Sequence, residues 1–200
     1  MKIVVAPLHA LEATVRTTAA SHIVSLASPG AEPVAIAHHG PLLRLAFNDI
    51  DAPRDGLVAP DDAHVMALLD FAAGWDGERP LLVHCWAGVS RSPAAAYIIG
   101  CARLPRGEEA GLALALRTTA PFATPNPRMV ALADARLGRD GAMIDAIRAI
   151  GRGAEVGLGV PFTLGVSAEP PGAPACLPPR DRRECSGVPP SRGRDDEVTT

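Results

Sequence analysis

Apolar residues in this chain alternate between short, dense runs of Ile, Val and Leu and longer stretches with helical spacing. Lys2–Ala6 and His22–Ala27 are such runs and predict buried strands; Leu42–Phe47 and Leu81–His84 predict two more. A helix is expected over Leu8–Ala20, between the first pair. Between the second pair, Pro60-Asp61-Asp62 opens a helix running to about Trp75, with acids in its first turn and Val65, Leu68, Leu69 and Ala72 on one face. Strands alternating with helices predict an α/β fold: a mainly parallel central sheet with helices on both faces.

Beyond residue 92 the pattern predicts helices only. Ser92–Ala102 is apolar on every side, as a buried central helix must be. Glu108–Arg117 carries acids first and Arg last, in keeping with the helix dipole. Asn126-Pro127 combines a cap with a helix-starting proline, for a helix ending near Gly138, and Ala142–Ile150 forms the last one. From about Gly153 the character changes, and residues 170–200 are rich in Pro, Gly, Arg and Asp with almost no apolar periodicity. The expected organisation is a folded domain over residues 1–152 and a disordered tail over 153–200. Cys176 and Cys185 of the tail are incidental thiols on this reading.

The chain's 200 residues, 48% of them hydrophobic, suffice for one domain with a proper core. With a net charge of −3 and Lys2 as its only lysine, it has no basic footprint for nucleic acid or membrane. Four cysteines without a CxxC pair make no disulfide scaffold or zinc site, and His38-His39 has no metal spacing. The N-terminus meets Pro7 and Glu12 too soon for a signal peptide. A cytoplasmic monomer without metal or cofactor is expected, and a reducing compartment suits a reactive thiol.

The chemistry concentrates in His84-Cys85-Trp86-Ala87-Gly88-Val89-Ser90-Arg91-Ser92. Five small or flexible residues between a cysteine and an arginine can wrap into one tight loop whose N–H groups point inward, a nest for a tetrahedral anion. The loop runs from a short apolar strand into a helix start marked by Pro93, where the dipole favours phosphate. Gly88 supplies backbone freedom that a Cβ would block. Arg91, the helix terminus and the nest all favour a thiolate at Cys85. The plainer alternative is a buried packing thiol beside a surface arginine.

This run resembles the His-Cys-x5-Arg-Ser signature of the cysteine-dependent protein-tyrosine phosphatase superfamily, most closely the small dual-specificity phosphatases. The resemblance covers roughly residues 20–150 in outline. It includes Pro125-Asn126-Pro127-Arg128-Met129, similar to a Pro-Asn phrase before the family's last helix, which a capping role also explains. It implies that Cys85 attacks phosphorus to form a phosphocysteine and that Arg91 clamps two phosphoryl oxygens. The amides of Trp86, Ala87, Gly88, Val89, Ser90 and Arg91 would bind the phosphate. His84 would order the loop by hydrogen bonds, or be a satisfied buried histidine. Ser92 would donate to the sulfur, or serve as an N-cap.

The family's general acid is an aspartate on a loop after an earlier strand. Here Leu43–Phe47 is followed by Asn48-Asp49-Ile50-Asp51, which points to Asp49; Asp51 competes with it and Asp55 remains a further candidate. The only tyrosine, Tyr97, falls in the buried helix, so no aromatic recognition loop is evident and a shallow cleft is expected. Trp86 lines its mouth or packs beneath the loop. The loop has no lysine, unlike that of phosphoinositide phosphatases. Low-molecular-weight phosphatases carry their cysteine loop near the N-terminus, and sulfurtransferases lack the closing Arg-Ser. The function that the resemblance implies is phosphoester hydrolysis through a phosphocysteine intermediate by a protein-tyrosine/dual-specificity-type phosphatase, with a phosphorylated protein or small phosphoester as substrate. The alternatives are a catalytically weak phosphate-binding or scaffold protein and a phosphatase of a small phosphorylated metabolite.

Overall fold

The computed structural model describes residues 1–167. The expected tail from residue 168 onward, with Cys176 and Cys185, lies outside the described residues. Five strands form one sheet in the order β3-β2-β4-β1-β5: β1 is Lys2–Pro7, β2 His22–Ala27, β3 Leu42–Ala46, β4 Leu81–Cys85 and β5 Phe162–Gly165. The first four are parallel, and β5 runs antiparallel to β1 with Lys2 opposite Gly165. All five residues of β4 are buried, as expected of a central parallel strand.

The helices are α1 (Leu11–Thr18), α2 (Asp62–Ala73), α3 (Arg91–Arg103), α4 (Glu109–Thr119), α5 (Pro127–Arg136) and α6 (Ala142–Ile150). The segment expected as one helix over Leu8–Ala20 splits into a 3-10 turn, Leu8–Ala10, followed by α1, which stops where Ala19 turns left-handed at φ 47°. Asp61 caps α2 by accepting from the His64 amide at 3.0 Å, while His64 accepts from the Asp61 amide.

Both faces of the sheet are not covered alike. Val5, Val24, Leu26, Leu81 and Val83 join α2 to α6 in the main core, around an α3 buried from Arg91 to Cys101. The opposite face has a small cluster of Leu11, Ala20, Ile23 and Leu82, roofed by Val34 and Ile36 of the irregular 28–41 segment. One helix and one loop cannot close that face, and a cavity opens beneath the loop.

Two expectations need correction. The second half is not purely helical, and the folded unit does not end at residue 152. Phe162-Thr163-Leu164-Gly165 alternates buried and exposed positions and forms an edge strand. Pairing is extended by Val166, whose carbonyl accepts from the N-terminal ammonium of Met1 at 3.1 Å. Four residues of period-two pattern, preceded by a proline and ending on a glycine, are too short to stand out in a Gly-rich stretch. Residues 151–161 form a strap leading to β5. Arg117 fastens its start by donating to the carbonyls of Ile150 and Gly151 while also holding those of Pro121 and Ala123.

Candidate active site

Cys85 is the last residue of β4 and Arg91 the first of α3, so the intervening loop is the βα turn at the carboxyl edge of the sheet. Its shape is held from outside. The Trp86 carbonyl accepts from the Leu8 amide at 3.0 Å, that of Ala87 from Gly159 at 2.8 Å and that of Val89 from Thr124 at 2.8 Å. The Ser90 carbonyl accepts from Ala94 at 3.0 Å and from Asn126 at 3.4 Å. These carbonyls are bonded on the loop's outer side, while the Gly88 amide turns inward and donates to the Cys85 sulfur at 3.3 Å. Gly88 sits at φ +71°, and a Cβ there would come within 3.0 Å of the Pro7 nitrogen, so glycine is required on both counts.

The Cys85 thiol is buried and lies 3.0 Å from the Ser92 hydroxyl. Ser92 is therefore not the helix cap. Ser90 occupies that position, and its hydroxyl is spent elsewhere. The sulfur thus has a hydroxyl, an amide and the N-terminus of α3 around it.

Arg91 is only 5% exposed, yet no carboxylate pairs with it among the described residues. Its Nη1 donates to the Phe47 carbonyl at 2.9 Å and to the Ser28 hydroxyl at 3.4 Å, which fixes the guanidinium plane. Its Nε is buried without a partner. A guanidinium tethered by one nitrogen and open on Nε and Nη2 is a fork suited to two oxygens of one tetrahedral anion. A buried, unpaired cation is costly, and an anion in the nest would relieve it.

Asp49 follows Phe47 and Asn48 and reaches the rim of the loop. Its Oδ1 accepts from the Ser90 hydroxyl at 2.7 Å and from the Asn126 amide at 2.8 Å, leaving Oδ2 available for a proton. Asp51 lies 3.7 Å from Arg54 and does not line the cysteine's cavity; nor does Asp55. Asn48 shapes the turn, its side chain accepting from the Val58 amide at 2.9 Å. Asn126 both caps α5, by accepting from the Met129 amide at 3.0 Å, and orients Asp49. Capping alone accounts for the sequence phrase, so the second role gave no separate signal.

His84 is buried, with no side-chain partner for either ring nitrogen and a weak polar contact with the backbone of Cys85, where the loop begins. Burial pushes its pKa down to about 4, with the charges of Arg44 and Arg91 adding to the shift, so the ring is neutral. Trp86 is 65% exposed and lines the cavity mouth, not the space beneath the loop. The cavity itself measures about 760 Å³ and extends from Cys85 and Arg91 down the open face of the sheet to Ser25, Arg44 and Val34. That is no shallow groove. The strap contributes Val156 and Gly157 to its wall. Tyr97 is fully buried in α3, its hydroxyl on the Glu109 carbonyl, away from the site.

Among the described residues no cluster of three metal-ligating side chains occurs, and no helix is long and apolar enough to cross a membrane. No protein-family model matches the chain, and no curated protein does either. Among solved structures, the chain is similar to a crystal structure of DUSP15, at 20% identity and a TM-score of 0.41, covering 69% of this chain and 81% of that one.

Proposed function

We propose that this chain hydrolyses phosphate monoesters through a phosphocysteine on Cys85, with machinery of the protein-tyrosine and dual-specificity type. The observation that carries the reading is the meeting of a buried thiol with a buried, unpaired guanidinium in one loop whose carbonyls are bonded on its outer side. In the first step the Cys85 thiolate attacks phosphorus, and the ester oxygen leaves with a proton from Asp49 Oδ2. Arg91 and the inward amides meet the equatorial oxygens of the transition state. In the second step water attacks the phosphocysteine and gives a proton to the Asp49 carboxylate. The sulfur departs as a thiolate, eased by the Ser92 hydroxyl and the Gly88 amide. A thiolate nucleophile fits a reducing, cytoplasmic setting.

Replacing Cys85 with Ser is the test. The hydroxyl does not ionise near neutral pH, so turnover of an aryl phosphate should disappear while vanadate still raises the melting temperature. Activity within tenfold of wild type would remove the covalent step. A catalytically weak phosphate-binding or scaffold protein is less favoured, because Ser90 and Asn126 hold Asp49 at the rim with no other evident purpose. The size of the cavity favours a small phosphorylated molecule over a phosphoprotein.

A further inference from the structure

Three polar residues lie in a row across the open face of the sheet. Ser25 of β2 is in register with Arg44 of β3 on one side and His84 of β4 on the other. Registered residues on neighbouring strands project from the same face, so the three form a single polar floor. All three line the cavity that also holds Cys85 and Arg91, whereas the rest of its wall is largely apolar, with Leu8, Leu45 and Val34 among the contributors. A polar row under an apolar roof is unusual unless something binds to it.

The floor is not satisfied from within. Both ring nitrogens of His84 are buried, and neither bonds to another side chain; the ring has only a weak polar contact with the Cys85 backbone. Arg44 spends Nη2 on the Val34 carbonyl at 2.9 Å, which ties the roof to the floor, and forms no ion pair among the described residues. A phosphotyrosine side chain entering from outside would present only an apolar ring to this row, leaving its donors unmet. Glu32 also lines the cavity, but from the roofing loop and exposed to solvent. Its charge favours a ligand whose anion lies low, at Arg44.

We infer that the Arg44–Ser25–His84 row is a second polar subsite, and that the substrate is a small phosphomonoester carrying a second anionic group. Two inter-strand spacings, on the order of 10 Å, separate Arg44 from His84, the residue that precedes Cys85, so the second anion would lie across the sheet from the phosphoryl group. Arg44 pairs with the second anion, while Ser25 and the neutral His84 accept or donate along the body of the molecule. This rests on the phosphatase reading for the phosphoryl end only.

The probes are 4-(carboxymethyl)phenyl phosphate and its methyl ester, which share a leaving group of similar acidity and differ in the distal charge. Wild type should show a kcat/KM roughly tenfold higher for the acid, the scale of one charge-assisted hydrogen bond in a partly open site. In Arg44→Gln the acid-to-ester ratio should fall to near one, whatever happens to the absolute rates. Arg44 is exposed on an edge-side strand, so the variant should fold. A wild-type ratio near one, or a preference that survives Arg44→Gln, overturns the subsite. If neither probe is turned over, the phosphatase reading fails separately. The subsite is then judged by thermal shift, where the acid must stabilise wild type more than the ester does and lose that advantage in Arg44→Gln.

Discussion

Replacing Gly153 with Ala should cost more than any mutation of an exposed strap residue. An added Cβ would lie 2.5 Å from both the carbonyl carbon and the oxygen of Phe122, and 2.6 Å from the Ala123 oxygen. These are backbone atoms, so they cannot rotate away. Overpacking of this kind costs roughly 1–3 kcal/mol. The strap must shift, and two hydrogen bonds go with it: Gly153 to the Thr124 hydroxyl at 3.1 Å and Ala154 to the Pro121 carbonyl at 2.9 Å. At about 1 kcal/mol each, they bring the total to about 3–5 kcal/mol. For a folded unit of this size that is about a 10 °C fall in melting temperature. Because the Thr124 amide supports the Val89 carbonyl at 2.8 Å, vanadate binding should weaken as well. Gly157→Ala is the control: a Cβ there meets nothing within 4 Å. Calorimetry on the two variants decides the matter. A Gly153→Ala melt within about 2 °C of wild type would mean that the strap is not packed against residues 121–124, and the supports of the loop would have to be redrawn.

Asp49→Asn should barely slow an ester with a stable anionic leaving group, but should slow phenyl or alkyl phosphates by roughly 10²–10⁴-fold. Asp51→Asn should do neither, and steady-state rates across a leaving-group series would transfer the acid's role if the two variants behaved the other way round. Stability should also depend on His84. Its folded pKa of about 4 lies below the unfolded value of 6.5, so the unfolded chain binds the extra proton first and stability falls as pH drops from about 6.5 toward 4. The loss should approach about 3 kcal/mol, and urea midpoints measured against pH should lose this component in His84→Gln.

The parallel core was legible in the sequence because fully buried strands leave dense apolar runs, and β2 spans His22–Ala27 as the pattern predicts. Ala142–Ile150 was equally plain, with Met143 and Ala146 on its buried side. What escaped was stability that is not local. β5 exists because β1 offers an open edge and Phe162 packs edge-on against Phe122 at 6.1 Å, neither of which is written into residues 162–165. Glu109 shows the same limit. It reads as a dipole-matching surface acid, yet it is 4% exposed and bound to the buried Arg139 at 2.6 Å, a partner thirty residues away.

The site divides along the same line. Cys85, Gly88 and Arg91 are legible because one turn must do everything within seven consecutive residues: end a strand, bend through φ > 0 and start a helix. Ser90, Asp49 and Asn126 converge from three separate segments, and each has a complete local explanation of its own, as loop residue, turn acid and helix cap. Only their meeting separates Asp49 from Asp51, two residues away with the same side chain. Arg44 is the extreme case. Within its strand it is merely the polar member of an alternating pair, and it gains meaning only from the row it completes with Ser25 and His84, two strands that enter the chain before and after it. Residues that act through register across a sheet carry no spacing signal along the chain, so the phosphoryl end of the ligand is readable from the sequence and its other end only from the fold.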